Sequence, residues 1–146
     1  MINPHSDPIY VPPGGPPQGP GPSHEIYQCM GEAAIFQMCA DFYAELEQSE
    51  IRALFSDDIP TASQRFAAFI VGLVGGPPLY AQRYGPPQMR ARHLPFAIDA
   101  HAREVWLRCF RKILDAAPEK YGFPEKHLAG FIEFLESFSA WMVNRQ

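Results

Sequence analysis

Apolar residues recur at helical spacing along most of this chain. Ile35, Cys39, Phe42 and Leu46 follow at intervals of four, three and four, which places them on one face of an α-helix. Ile51, Leu54 and Phe55 predict a short helical turn after it. Thr61-Ala-Ser-Gln64 reads as a capping box, a hydroxyl followed three residues later by an amide. It would open a helix carrying Phe66, Phe69, Ile70, Leu73 and Val74 on one broad face, and Gly75-Gly-Pro-Pro78 stops that helix. A loop rich in Pro, Gly and Tyr leads to Met89–His93, enough for a turn or two of helix before Pro95. Asp99 caps a further helix with Trp106, Cys109, Phe110 and Ile113 in its stripe, and Pro118 and Gly122 break it. The last helix runs from about Pro124, with Leu128, Phe131, Ile132, Leu135, Phe138 and Met142 inward. Neither sustained period-two alternation nor an Asn-Gly or Asp-Gly hairpin turn is present. The predicted class is all-α.

The first 24 residues depart from this pattern. Residues 11–22 read Val-Pro-Pro-Gly-Gly-Pro-Pro-Gln-Gly-Pro-Gly-Pro, and proline removes hydrogen-bond donors while glycine raises chain entropy. Residues 1–24 are therefore expected to form a disordered or polyproline-II tail, and residues 25–146 one domain. His5 and His24, in or beside the tail, are poor site candidates. The formal charge of −4 argues against a nucleic-acid partner, which needs a clustered basic face. Arg83, Arg90, Arg92, Arg103, Arg108 and Arg111 do gather in the middle of the chain, as a solvated face or as groups serving an anionic ligand. The longest apolar stretch, Phe66–Val74, falls short of the roughly 20 residues that cross a bilayer, and no secretory pattern opens the chain. Cys29, Cys39 and Cys109 have neither Cys-x-x-Cys spacing nor an even count, which disfavours a disulfide framework or a zinc site. These features together predict a soluble cytoplasmic protein with no membrane or nucleic-acid partner.

Aromatic residues are spread over several predicted helices. They fit a core of large side chains or, alternatively, a slot for a flat apolar cofactor. Tyr43 adjoins one buried stripe and Trp106 lies in another, and a buried phenol or indole N–H needs a partner. A backbone carbonyl would serve, as would a ligand in a shared cavity. His93 sits between a short helix and the Leu94-Pro95-Phe96 stop. A lone histidine there is a core or surface residue, or the single axial ligand that a haem iron requires from a protein. His101 and His127, near helix starts, read as exposed. Asp57-Asp58 precedes Pro60 and reads as a cap. Phosphate-binding glycine loops, His-Glu-x-x-His and Gly-x-Ser-x-Gly are all missing, so hydrolytic readings have no constellation to stand on.

Seven segments in order resemble the group II truncated haemoglobins. They are Gly31-Glu-Ala-Ala-Ile35, Asp41-Phe-Tyr43, Arg52-Ala-Leu-Phe55, Gly75-Gly-Pro77, Arg90-Ala-Arg-His-Leu-Pro-Phe96, Trp106-Leu-Arg-Cys109 and Met142-Val-Asn144. The resemblance runs from about Ile26 to the C-terminus. It implies a truncated globin, a two-over-two helical sandwich around one haem b (iron protoporphyrin IX). By it His93 matches the proximal iron ligand, while Tyr43 and Trp106 match distal hydrogen-bond donors. Phe55 matches the aromatic wedged against the porphyrin, and Ala62 stands where other globins carry a distal histidine. Arg65 and Arg92 match positions that pair with propionates. Phe66, Phe69, Met89, Phe96 and Ile98 complete the implied pocket. Two departures stand out: Met30-Gly31 replaces the usual glycine pair, which predicts a less tightly bent corner, and Phe55 replaces a tyrosine or histidine.

The function so implied is tight binding of oxygen or another diatomic gas, by a monomer or weak dimer. An enzymatic alternative, nitric oxide dioxygenation or peroxidase chemistry, uses the same pocket and requires a reductase in trans. A haem-free helical interaction domain is the third reading.

Overall fold

The computed structural model describes residues 8–146, so the first part of the expected tail, with His5, lies outside the described residues. The helix α1 runs Glu25–Glu47 and breaks at Gly31, where φ is +80° and ψ 167°. That region of backbone space is essentially restricted to glycine. The corner that the sequence places at Met30-Gly31 is thus made at Gly31. Beyond the break, Ile35, Met38, Cys39, Phe42, Tyr43 and Leu46 are buried, the predicted stripe with two additions.

A short 3₁₀ turn, Arg52–Leu54, leads to α2, Ile59–Leu73. Its cap is Asp58, whose carboxylate accepts from Thr61 N at 3.1 Å and from Thr61 Oγ1 at 2.7 Å. The helix thus starts earlier than the capping-box reading placed it, and Thr61 is the partner of the cap. Asp58→Ala is expected to lower the thermal midpoint by roughly 3–5 °C at neutral pH. The bonds from Thr61 hold the Asp58 carboxyl below its ordinary value. This stabilisation is full above the usual carboxylate range and lost as pH falls through the lowered value. The gap between wild type and variant should therefore close in acid; equal midpoints at neutral pH would show that the cap carries no weight.

At the far end of α2, Gly75 has φ +107°, and a Cβ there would lie 2.5 Å from the His24 carbonyl oxygen. The glycine lets the end of α2 pass against the start of α1, where Tyr27 N donates to Val74 O at 3.1 Å. Next comes α3, Leu79–Tyr84, a helix within the stretch expected to be a loop. Then follow α4 (Met89–His93), α5 (Ala100–Asp115), α6 (Ala117–Tyr121), a 3₁₀ turn (Glu125–His127) and α7 (Leu128–Met142). Asp99 caps α5 as expected, accepting from Ala102 N at 2.8 Å. No strand occurs among the described residues.

The helix α1 packs on α2 and across α5, and α5 packs on α7, giving two helix pairs in layers. Where the layers cross, Phe42 stacks on Phe110 at 4.1 Å, and Phe110 meets Phe131 edge-on at 5.9 Å. Such pairs add about 0.5–1.5 kcal/mol each beyond the area they bury. Trp106 and Ile113, expected inside α5, are only half-buried, while Val105, Cys109, Phe110 and Leu114 fill the core face. For Trp106 the reason is a cavity beside it.

The six arginines do not make one face. Arg108 pairs with Glu50 in solvent, Arg111 pairs with Glu136, Arg83 lies over the Phe36 ring at 5.9 Å, and Arg90, Arg92 and Arg103 bond backbone carbonyls. His127 is half-buried rather than exposed, with Glu25 at 2.9 Å. Residues 8–22 form no helix or strand, yet Pro22 is buried and Tyr10 N donates to Asn144 O at 3.0 Å. No helix among the described residues is long and apolar enough to cross a membrane.

Candidate functional site

A cavity of about 580 Å³ opens between the helix pairs. Tyr43 enters it from α1, and Ile51, Leu54, Phe55 and Ser56 from the turn that follows. From α2 come Thr61, Ala62, Arg65 and Phe66. Tyr80 of α3, Met89, Arg92 and His93 of α4, and Phe96 and Ile98 beyond it close another side. Ala102, Arg103 and Trp106 of α5 and Phe138, Ser139 and Met142 of α7 complete the lining.

Every site residue expected from the sequence lines this cavity except Phe69. That ring lies behind the wall, 6.5 Å from Phe66, 5.5 Å from Phe138 and 6.3 Å from Tyr80. It supports the lining without joining it. Tyr80 sits on the helix that the pattern missed. Phe138 and Met142 were visible as an i, i+4 pair, but that spacing reads equally well as ordinary core.

His93 is the last residue of α4, and its Nδ1 lies 2.6 Å from the Met89 carbonyl oxygen. A carbonyl only accepts, so Nδ1 carries the proton and Nε2 keeps a lone pair. Burial lowers the imidazole below its ordinary value, and the bond to Met89 opposes that shift only in part. The ring is therefore neutral at neutral pH and ready to ligate.

Two donors belong to the same cavity. Tyr43 is 7% exposed, and burial pushes its phenol well above the ordinary value. The ring is held edge-on by Phe42 at 5.5 Å and by Phe55 at 5.7 Å. Trp106 is fixed edge-on against Phe42 at 5.4 Å and Phe66 at 6.1 Å. Neither the Tyr43 hydroxyl nor the Trp106 indole N–H has a hydrogen-bond partner among the described residues, although both residues line the cavity.

Three arginines line the cavity; Arg103 donates to Ser139 Oγ and the Glu136 carbonyl, and Arg65 and Arg92 are the other two. Arg65 lies over the Tyr84 ring at 5.0 Å and Arg92 over Tyr80 at 5.2 Å. Arg92 donates from Nε to Pro87 O at 2.7 Å and from Nη2 to Tyr84 O and Pro86 O, both at 2.9 Å. Its Nη1 donors remain for an anion. Phe96 is 45% exposed, an apolar ring left at the cavity edge.

The residues fit a haem: one neutral imidazole with a free lone pair, aromatic walls, cations beside them and two donors without partners among the described residues. Among the described residues no three His, Cys, Asp or Glu side chains converge on a metal position. An iron held by His93 would take its other ligands from a group such as a porphyrin.

Comparison with known proteins gives the same answer. The bacterial-like globin family matches residues 25–144. The group 2 truncated hemoglobin YjbI of Bacillus subtilis is 32% identical over 90 residues, covering 61% of this chain and 68% of that protein. Among solved structures, phosphate-bound Hell's gate globin IV superposes with a TM-score of 0.79 at 35% identity, over 88% of this chain and 80% of its own. The truncated oxygen-avid haemoglobin from B. subtilis gives 0.73 at 29% identity, over 81% and 98%. With fold, cavity and sequence in agreement, the chain belongs to the bacterial-like globins and, within them, to the group 2 truncated haemoglobins.

Proposed function

We propose that this globin holds one haem b through Nε2 of His93 and retains oxygen through hydrogen bonds from Tyr43 and Trp106. The carrying observation is the pair of donors without partners among the described residues, in a cavity that also holds a neutral, lone-pair-bearing imidazole. When bound, a haem would supply an iron able to take up a diatomic gas.

The chain's own residues do the rest. His93 is kept in one tautomer by Met89, which fixes the ligating nitrogen. Phe55 and Phe66 line the cavity as apolar walls, and the Nη1 donors of Arg92 are available to a propionate. Tyr43 and Trp106 come from different helices and are locked by aromatic neighbours, so their donors are pre-oriented. Donors fixed in a site of low dielectric stabilise a ligand that acquires negative charge far better than water does. Two such donors favour retention over ready release. The B. subtilis relative is itself described as oxygen-avid, which supports the same reading here.

Titration of haem into the apoprotein provides the test. Saturation at one equivalent per chain with a sharp Soret band is expected. The reduced complex should then change spectrum with oxygen and revert when oxygen is removed. A titration that never saturates, or a reduced complex indifferent to oxygen, would refute the proposal.

A further inference from the structure

The carboxy-terminal end holds a polar group that gas binding does not account for. Asn144 is 0% exposed, and its side chain bridges the segment that follows α4. Its Nδ2 donates to His93 O at 3.2 Å and to Phe96 O at 2.9 Å, while its Oδ1 accepts from Ile98 N at 2.9 Å. Its backbone N donates to Ile98 O at 2.9 Å. These bonds reach across 46 to 51 residues of sequence.

The helix they hold needs holding. At five residues α4 is far below the roughly 12–15 at which a helix stands alone in water. It ends at His93, whose carbonyl accepts locally from Phe96 N at 3.0 Å, and Asn144 Nδ2 adds a second donor to the same oxygen from the far end of the chain. Arg90, three residues before His93, makes a second attachment. It donates from Nη1 to Val143 O at 3.0 Å and to Trp141 O, and from Nη2 to Tyr10 O at 2.8 Å. Its guanidinium lies over the Trp141 ring at 4.4 Å. The last turn of α4 is thus pinned to the end of α7, and the amino-terminal segment is tied to the same point.

From this geometry we infer that Asn144 is a positioning residue for the proximal histidine, with Arg90 as the second point of the clamp. The bonds to His93 O and Phe96 O set where α4 ends, and so where Nε2 stands in the cavity. The inference rests on His93 being the iron ligand.

Asn144→Ala tests it, with Arg90→Met as a second variant that keeps the aliphatic stem and carries the test should the first not fold. Haem loss is measured by transfer to excess apomyoglobin, and the iron–histidine stretching band of the reduced protein by resonance Raman. Transfer should accelerate about 10–100-fold in Asn144→Ala, the usual effect of removing a group that orients a metal-ligating histidine. Its stretching band should shift, and Arg90→Met should move both readouts in the same direction. Tyr121→Phe, which removes the bond from Tyr121 of α6 to Asp41, neither of which lines the cavity, should leave both readouts at wild-type values. Wild-type transfer rates and an unmoved band in the variants overturn the clamp, as does an equal response to Tyr121→Phe. Wild-type protein without a Soret band overturns the haem reading itself, and this inference with it.

Discussion

Tyr43→Phe and Trp106→Phe are each expected to raise the oxygen dissociation rate about 10- to 150-fold. A hydrogen bond to a charged group contributes about 1.5–3 kcal/mol, and about 1.4 kcal/mol corresponds to a factor of ten. The figures assume that the whole loss falls on the off-rate. Tyr43→Phe removes only a hydroxyl, because the ring keeps its contacts with Phe42 and Phe55. Trp106→Phe removes the N–H and also some packing against Phe42, Phe66 and Phe110. Carbon monoxide acquires less charge on its outer atom, so its dissociation should change less in both variants. That contrast separates a lost hydrogen bond from a loosened wall. The double variant need not show the product of the two effects, since donors sharing one acceptor are coupled. Oxygen off-rates unchanged in both single variants, measured by stopped flow, would make Tyr43 and Trp106 ordinary wall residues.

What the sequence made legible follows from the range of each interaction. The stripe of α1 was readable because burial on one helix face repeats every three or four residues, and Phe131, Leu135 and Met142 of α7 follow the same rule. In α2 the buried face is Ala67, Ala68, Ile70 and Val71, while Phe66, Phe69 and Leu73 of the expected stripe are only half-buried. Asp99 was readable as a cap because its bond spans three residues. Asp58 shows the limit of the same logic. Two capping signals overlapped within seven residues, Asp58 and Thr61-Ala-Ser-Gln64, and only the geometry shows that the first caps and the second supplies its partner. The helix α3 was lost because six residues between Pro77-Pro78 and Gly85 are too few to display a period.

The site was legible in a different way. His93, Tyr43 and Trp106 each had an ordinary reading as core or surface, and only their joint resemblance to one family's pattern set them apart. The structure adds that all three line one cavity. Phe69 shared its helical face with Phe66, yet only Phe66 reaches the lining, because a stripe does not distinguish core from cavity wall. Trp106 shows the converse: its place in a buried stripe concealed that it is half-buried against a cavity. Asn144 was invisible as a contact, since its partners lie some fifty residues away and a lone asparagine near a chain end has no local signature.

Replacing His93 by alanine is expected to abolish stable haem retention while leaving the helical fold in place. The side chain is half-buried at the end of a short helix and makes one hydrogen bond, to Met89. Its removal therefore opens a gap in the cavity wall without breaking the core between α1 and α5. The effect on haem should exceed the roughly 10–100-fold that follows the loss of a group which merely orients a ligand, because the ligating nitrogen itself is gone. Exogenous imidazole can enter the space vacated by the ring and restore a Soret band. The restored complex should release haem faster than wild type, because a free ring is not linked to the chain and Met89 no longer sets its tautomer through a fixed geometry. Far-ultraviolet circular dichroism of the variant should match the wild-type apoprotein. A variant that keeps the native haem spectrum without imidazole would show that another group ligates the iron, and the neutral tautomer of His93 would then be a detail of packing alone.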